Sequence, residues 1–103
     1  MPTPHYPSAG VRKALRKLGG DIREARKRRR LPMRVVADRA FTSRATLQRI
    51  EEGDPAVGMG IYAAVLQALG FLGELGVVAD PSRDAVGMSL AAAELPARVR
   101  LRS

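Results

Sequence analysis

Apolar residues at Val11, Leu15, Leu18, Ile22 and Ala25 recur at spacings of four, three, four and three, the period of an amphipathic helix with one stripe on a core. Gly19 and Gly20 interrupt this stripe. Two interior glycines cost about 2 kcal/mol relative to alanine, so the helix is expected to begin properly only near Leu18, with residues 11–17 loosely attached. The basic run RKRRR, residues 26–30, closes it, as suits the negative end of a helix macrodipole. Pro32 stands at the first position of a second helix carrying Val35, Val36, Ala37 and Ala40. That helix, about 8 or 9 residues long, is too short to be stable without its neighbours.

The three residues FTS, 41–43, then lead into RATLQRIEEG. Ser43 is a good N-cap for a helix from Arg44 to Glu52, Gly53 a left-handed C-terminal stop, and Pro55 a block to continuation. Two short helices joined by a three-residue turn make a helix-turn-helix. On the second, Leu47 and Ile50 face inward beside Thr46, while Arg44, Ala45, Gln48, Arg49 and Glu52 face outward. Arginine suits guanine O6/N7, glutamine suits adenine N6/N7, and a small methyl suits thymine, so this face matches what a major groove displays. An ordinary polar helix surface is the plain alternative.

Further along, MGIYAAVLQALG predicts a helix buried almost all round and capped by Gly70, and FLGELGVV a weaker helix broken by glycines. Ile61, Leu66, Leu69, Phe71, Leu72 and Leu75 are expected in the core, with part of this surface available as a dimer seam. Asp80-Pro81 reads as N-cap and first residue of a helix over SRDAVGMSLAAAE that Pro96 ends. In the tail PARVRLRS, period-two alternation predicts a short strand, which needs a partner edge; a frayed basic tail is the alternative. The N-terminal MPTPHYPSAG reads as a flexible arm.

Charge sharpens this picture. The net +8 is not evenly spread: residues 12–49 hold 14 Lys/Arg against three acids, and residues 50–103 hold four against seven. A basic docking half is implied, with a solvated basic face as its alternative. The absence of cysteine excludes disulfides and Cys-based zinc sites. His5, the only histidine, lies in the Pro-rich arm; Glu51, Glu52 and Asp54 sit at a helix end, where Glu51 is expected to pair with an arginine; no phosphate-binding glycine loop occurs. Catalysis, a metal and a cofactor are therefore not expected. Neither a signal-like leader nor a stretch of roughly 20 apolar residues is present, so a cytoplasmic protein without membrane contact is expected.

Residues 22–70 resemble the DNA-binding domain of the lambda-repressor/Cro-like, or Xre, helix-turn-helix family. The resemblance rests on Arg26 and the basic run, Val36-Ala37, the pattern Ser43-Arg44-x-Thr46-Leu47-x-Arg49-Ile50-Glu51-x-Gly53, and Leu66 to Gly70. It implies a bundle of about five helices binding operator DNA as a dimer. Two positions depart from the family: Met33 replaces a common glutamine, and Phe41 a common turn glycine. Because a Cβ disfavours left-handed backbone, the turn is expected to be rearranged with Phe41 packed in the core. Residues 71–95 and the tail resemble HipB-like antitoxins, which pair with HipA-type kinases and hold their dimer partly by a C-terminal strand.

The expected protein is thus all-α, with five to six helices and a possible C-terminal strand. Its divisions are an arm over 1–10, a DNA-binding domain over 11–79 and a dimer- or partner-binding segment over 80–103. Base reading is assigned to Arg44, Ala45, Gln48 and Arg49, and DNA-backbone contact to Arg28, Arg29, Arg30, Arg34, Ser43 and Thr46. Homodimer contact is assigned to Leu72, Leu75, Val78, Val99 and Leu101. The expected function is sequence-specific repression from operator DNA, with the chain also binding a HipA-like toxin as its antitoxin. The alternative is an interaction adaptor that binds nucleic acid without sequence preference.

Overall fold

The computed structural model describes residues 6–102, and side chains as far as Glu94. Among the described residues there are six α-helices, one short 3-10 turn and no strand, so the expected all-α class holds. The helices are α1 (Ala9–Arg28), α2 (Met33–Arg39), α3 (Arg44–Glu51), α4 (Met59–Leu69), α5 (Leu72–Gly76) and α6 (Ala85–Arg102). The chain divides into two compact units, Met1–Leu72 and Gly73–Ser103.

In the first unit, α1 does not wait for Leu18. It starts at Ala9, where the Ser8 hydroxyl accepts the Val11 amide at 3.2 Å, and runs unbroken through both glycines. The reason lies in what the glycines touch. A Cβ on Gly19 would sit 2.4 Å from the Ile50 carbonyl oxygen and 2.7 Å from the Gly53 nitrogen. Gly53, at φ 77°, is pressed in turn against Arg16, whose Cα would lie 2.6 Å from an added Cβ. The backbones of α1 and the end of α3 thus meet without side chains between them, and this close packing outweighs the propensity cost of Gly19. Helix therefore claims Ala9 and Gly10 from the expected arm, whose residues 1–5 lie outside the described ones.

The core of this unit is made by Ile22 and Ala25 of α1, Val36 and Ala37 of α2 with Ala40 after it, Leu47 and Ile50 of α3, Val57, and Tyr62, Val65, Leu66 and Leu69 of α4. Burial of each large aliphatic side chain stabilises by about 1.5–3 kcal/mol, and this is what holds the seven-residue α2, too short to persist alone. Pro32 caps α2 from outside rather than opening it, which shortens the helix to Met33–Arg39. The expected all-round burial of α4 is corrected: Met59 and Ile61 are exposed, as is Leu72.

Helices α1 to α4 all stop in the same manner, with a left-handed residue and a pair of backward amide bonds of the Schellman type. Glycine fills that position at Gly53 and Gly70, whereas Arg30 (φ 52°) and Phe41 (φ 56°) occupy it with a side chain. Phe41 donates its amide to Asp38 O at 3.1 Å and Thr42 donates to Ala37 O at 2.9 Å. The expectation of a rearranged turn with Phe41 in the core is therefore wrong on both counts: the backbone keeps the left-handed geometry, and the ring is 95% exposed. Closing α2 and starting α3 within four residues demands this backbone, whatever residue stands there.

In the second unit, Asp80 caps the 3-10 turn Pro81–Arg83 rather than a long helix. Asp84 accepts the Gly87 amide at 3.0 Å, so α6 begins four residues later than expected. α6 continues to Arg102, through Pro96, and the C-terminal strand does not form. A strand needs a partner edge, and none exists among the described residues; a helix satisfies its own backbone, losing one amide donor at the proline.

Candidate nucleic-acid interface

The Ser43 hydroxyl opens α3 by accepting the Thr46 amide at 3.0 Å and donates to Thr46 Oγ1 at 3.0 Å. Leu47 and Ile50, both fully buried, lock the helix from within. Arg44, Ala45, Gln48 and Arg49 are all left exposed, on the face that the sequence assigned to base reading. Arg34, in the first turn of α2, is exposed as well.

Arg49 differs from the other three in being tied down. Its Nε donates to Asp54 Oδ2 at 2.8 Å, while Asp54 Oδ1 accepts the Ala56 amide at 2.8 Å and the Asp54 carbonyl accepts the Tyr62 hydroxyl at 2.8 Å. Arg49, and after it the Ala56 amide, hold the Asp54 carboxyl below the usual carboxylate range. Burial pushes the Tyr62 hydroxyl above its ordinary value. The chain leaving α3 is thus folded back onto the helix surface, and the Arg49 side chain is aimed rather than loose. Asp54 has a signal in the sequence, a carboxylate directly after the Gly53 stop and five residues from Arg49, but its role went unread.

The basic run at the end of α1 does several different things. Arg26 forms the pair expected for Glu51, with Nε to Oε2 at 2.7 Å and Nη2 to Oε1 at 3.0 Å, and Nη1 donates to Leu31 O at 3.2 Å. The two side chains are only 11% and 6% exposed, so this is an internal strut between α1 and α3. The hydrogen bond to Glu51 raises the Arg26 pKa further, against the opposing effect of burial. Arg29 donates to Ala25 O at 3.0 Å and lies 5.0 Å over the Phe71 ring, a cation–π contact. Arg28 and Arg30 are exposed and have no such partners among the described residues.

Of the residues assigned to a dimer, Leu72 and Val78 are exposed and Leu75 is half-buried; the side chains of Val99 and Leu101 lie outside the described ones. Among the described residues no helix is long and apolar enough to cross a membrane.

The helix-turn-helix domain family matches residues 17–77, from the middle of α1 to the end of α5. No curated protein and no solved structure matches the chain. With more than half its length covered and a capped, internally locked α3 following a short α2, the chain belongs to the helix-turn-helix domain family of DNA-binding proteins.

Proposed function

We propose that this chain is a sequence-specific transcriptional repressor of the lambda-repressor/Cro-like, or Xre, type, reading operator DNA as a homodimer. The observation that carries the reading is the two-sided chemistry of α3: Leu47 and Ile50 are sealed in the core while Arg44, Ala45 and Gln48 stand exposed at its capped end. Arg44 suits guanine, Gln48 adenine, and Ala45 a thymine methyl. Asp54 takes only the Nε of Arg49, which leaves the two terminal amines, the pair a guanine edge requires, directed by a fixed stem. Arg34, Ser43, Thr46, Arg28 and Arg30 would contact phosphates, and Arg29 less so because Ala25 O and Phe71 already occupy its guanidinium.

A single reading helix covers too few base pairs to stand out among roughly 10⁶ competing genomic sites, which favours a two-fold pair with half-sites about 34 Å apart. The exposed Val78, Val86, Met88 and Leu90 of the second unit offer apolar surface for a second copy. The finer role, antitoxin to a HipA-like kinase, uses the same surface; without a C-terminal strand it rests on the resemblance of residues 71–95 alone.

The decisive experiment is in vitro selection of duplexes by the full chain, followed by titration of Arg44→Ala and Gln48→Ala. Loss of about 1–3 kcal/mol on the selected site, with relaxed preference at one position, is expected for base readers. Equal loss on selected and random DNA would instead support the adaptor reading.

A further inference from the structure

The α3 face leaves unused a second basic array on α1. Arg12, Arg16, Arg23 and Lys27 are all exposed, and none has an ion-pair partner among the described residues. At about 100° per residue they fall within roughly 60° of one another, and at 1.5 Å rise they run about 22 Å along the helix in a straight line. The spacing from Arg12 to Arg23 and from Arg16 to Lys27 is one 11-residue repeat, close to three whole turns, which is why the line does not wind off the face. Like charges four apart weaken a helix, so nothing in the fold itself favours the array. Of the two carboxylates on α1, Asp21 lies on another face, engaged with Lys17, and Glu24 lies at the border of the array, about 60° around the helix from Lys27.

Two further observations say what the array accepts. Gly20 lies beside its middle, between Arg16 and Arg23, and nothing lies within 4 Å of where its Cβ would be. Packing does not require this glycine, unlike Gly19, and its absence of side chain leaves the helix backbone open to close approach by a partner. Gly19 and Arg26, which face α3, are roughly 50–70° around α1 from the midline of the array, so the array borders the end of α3. Arg12 and Arg16 also precede the span matched by the helix-turn-helix family, residues 17–77. A membrane surface is a poor fit, because the apolar side of α1 is committed to the core through Ile22 and Ala25. A straight row of four cations, with its one neighbouring carboxylate, Glu24, to the side, fits a linear polyanion.

We propose that Arg12, Arg16, Arg23 and Lys27 form a track for the sugar–phosphate backbone of duplex DNA on the flank of the half-site read by α3. About 22 Å of track corresponds to some six base pairs at 3.4 Å each. The inference rests on α3 docking to duplex DNA, and it adds contacts that carry no base information but lengthen the footprint and raise affinity.

The test uses the full chain and its Arg12→Ala/Arg16→Ala variant, both side chains being exposed, with Arg12→Lys/Arg16→Lys as a charge-retaining control and circular dichroism as the check on folding. The probes are a duplex selected in vitro, offered with about 10 flanking base pairs and trimmed of them. The alanine variant should lose roughly 10- to 30-fold on the flanked duplex, flatten its salt slope by about two units, and bind the trimmed duplex within about twofold of the parent. The lysine variant should keep most of the affinity. Equal loss on both duplexes, or no loss on either, overturns the track. So does unchanged DNA binding with loss of binding to phosphatidylserine vesicles or to polyglutamate, which would assign the array to a membrane or an acidic protein. If selection returns no preferred sequence, the α3 reading fails separately, and the track then stands or falls on the same variant's affinity and salt slope with a random duplex of about 30 base pairs.

Discussion

Gly19 and Gly20 are neighbours on one helix, and alanine should act on them with opposite sign. At Gly20 nothing lies within 4 Å of the new methyl, so Gly20→Ala should show the plain propensity gain of about 0.5–1 kcal/mol, part of it from a less flexible unfolded chain. At Gly19 the same gain is available, but the methyl would lie 2.4 Å from Ile50 O, 2.7 Å from Gly53 N and 2.8 Å from Glu51 O, where ordinary contact begins at 3.4 Å. All three are backbone atoms and cannot swing aside, so α1 must lift about 1 Å from α3, and overpacking of this kind costs about 1–3 kcal/mol. The lift also strains the Arg26–Glu51 pair on the same side of α1. The overpacking and strain together outweigh the propensity gain, and Gly19→Ala should be destabilised by about 1–3 kcal/mol net. Thermal melts of the two variants would separate them in opposite directions, at roughly 4–8 °C per kcal/mol for a domain of this size. A Gly19→Ala protein that melts at or above the parent would refute the reasoning, because it would mean that α1 does not bear on α3 through its backbone.

Phe41→Gly should stabilise the first unit by about 0.5–1 kcal/mol, since it relieves a left-handed backbone and a ring 95% exposed gives up no burial; an unchanged or lower urea midpoint would count against it. Arg26→Met should cost about 3–5 kcal/mol by leaving Glu51 buried without a partner, whereas the double change with Glu51→Leu should recover most of that loss, as a double-mutant cycle in urea would show. Asp54→Asn should be less stable than the parent above about pH 4 and equal to it in strong acid. The folded-state pKa of Asp54 is depressed, so its contribution is present above the unfolded value and lost as pH falls through the folded one. The same variant releases Arg49, and under the proposed role of Arg49 as a base reader, duplexes selected by it should show a weaker preference at one base pair.

Much of α3 is legible in the sequence because it depends on local chemistry. Ser43 caps α3, Gly53 stops it, and Leu47 and Ile50 turn inward, each as their spacing and type predict. What the sequence concealed depends on partners distant along the chain. The pair Gly19-Gly20 looks like two equal weak points until Gly53, 34 positions away, is brought against the first of them. RKRRR looks like one positive cluster, yet Arg26 is an internal strut and Arg29 is folded over Phe71. The apolar side chain of Phe41 suggests a core position, but the turn's demand for a left-handed backbone places it outside. In the tail, a period of two over five residues suggests a strand, with a frayed tail as the alternative, but no partner edge exists among the described residues to accept a strand.

The meeting of α1 with α3 through Gly19 and Gly53 also sets how the first unit comes apart. Closing this crossing joins segments more than 30 residues apart, an entropic cost that must be met before the contacts between them contribute. α2 has seven residues and α3 eight, neither long enough to persist in isolation, so both depend on that closure. α3 therefore has no stepwise route to disorder: its amides should exchange with solvent only when α1 leaves, with the free energy of global opening. Hydrogen exchange at Leu47 and Ile50 should match that at Ile22 under conditions where opening is in rapid equilibrium, while Gly19→Ala should accelerate all three together.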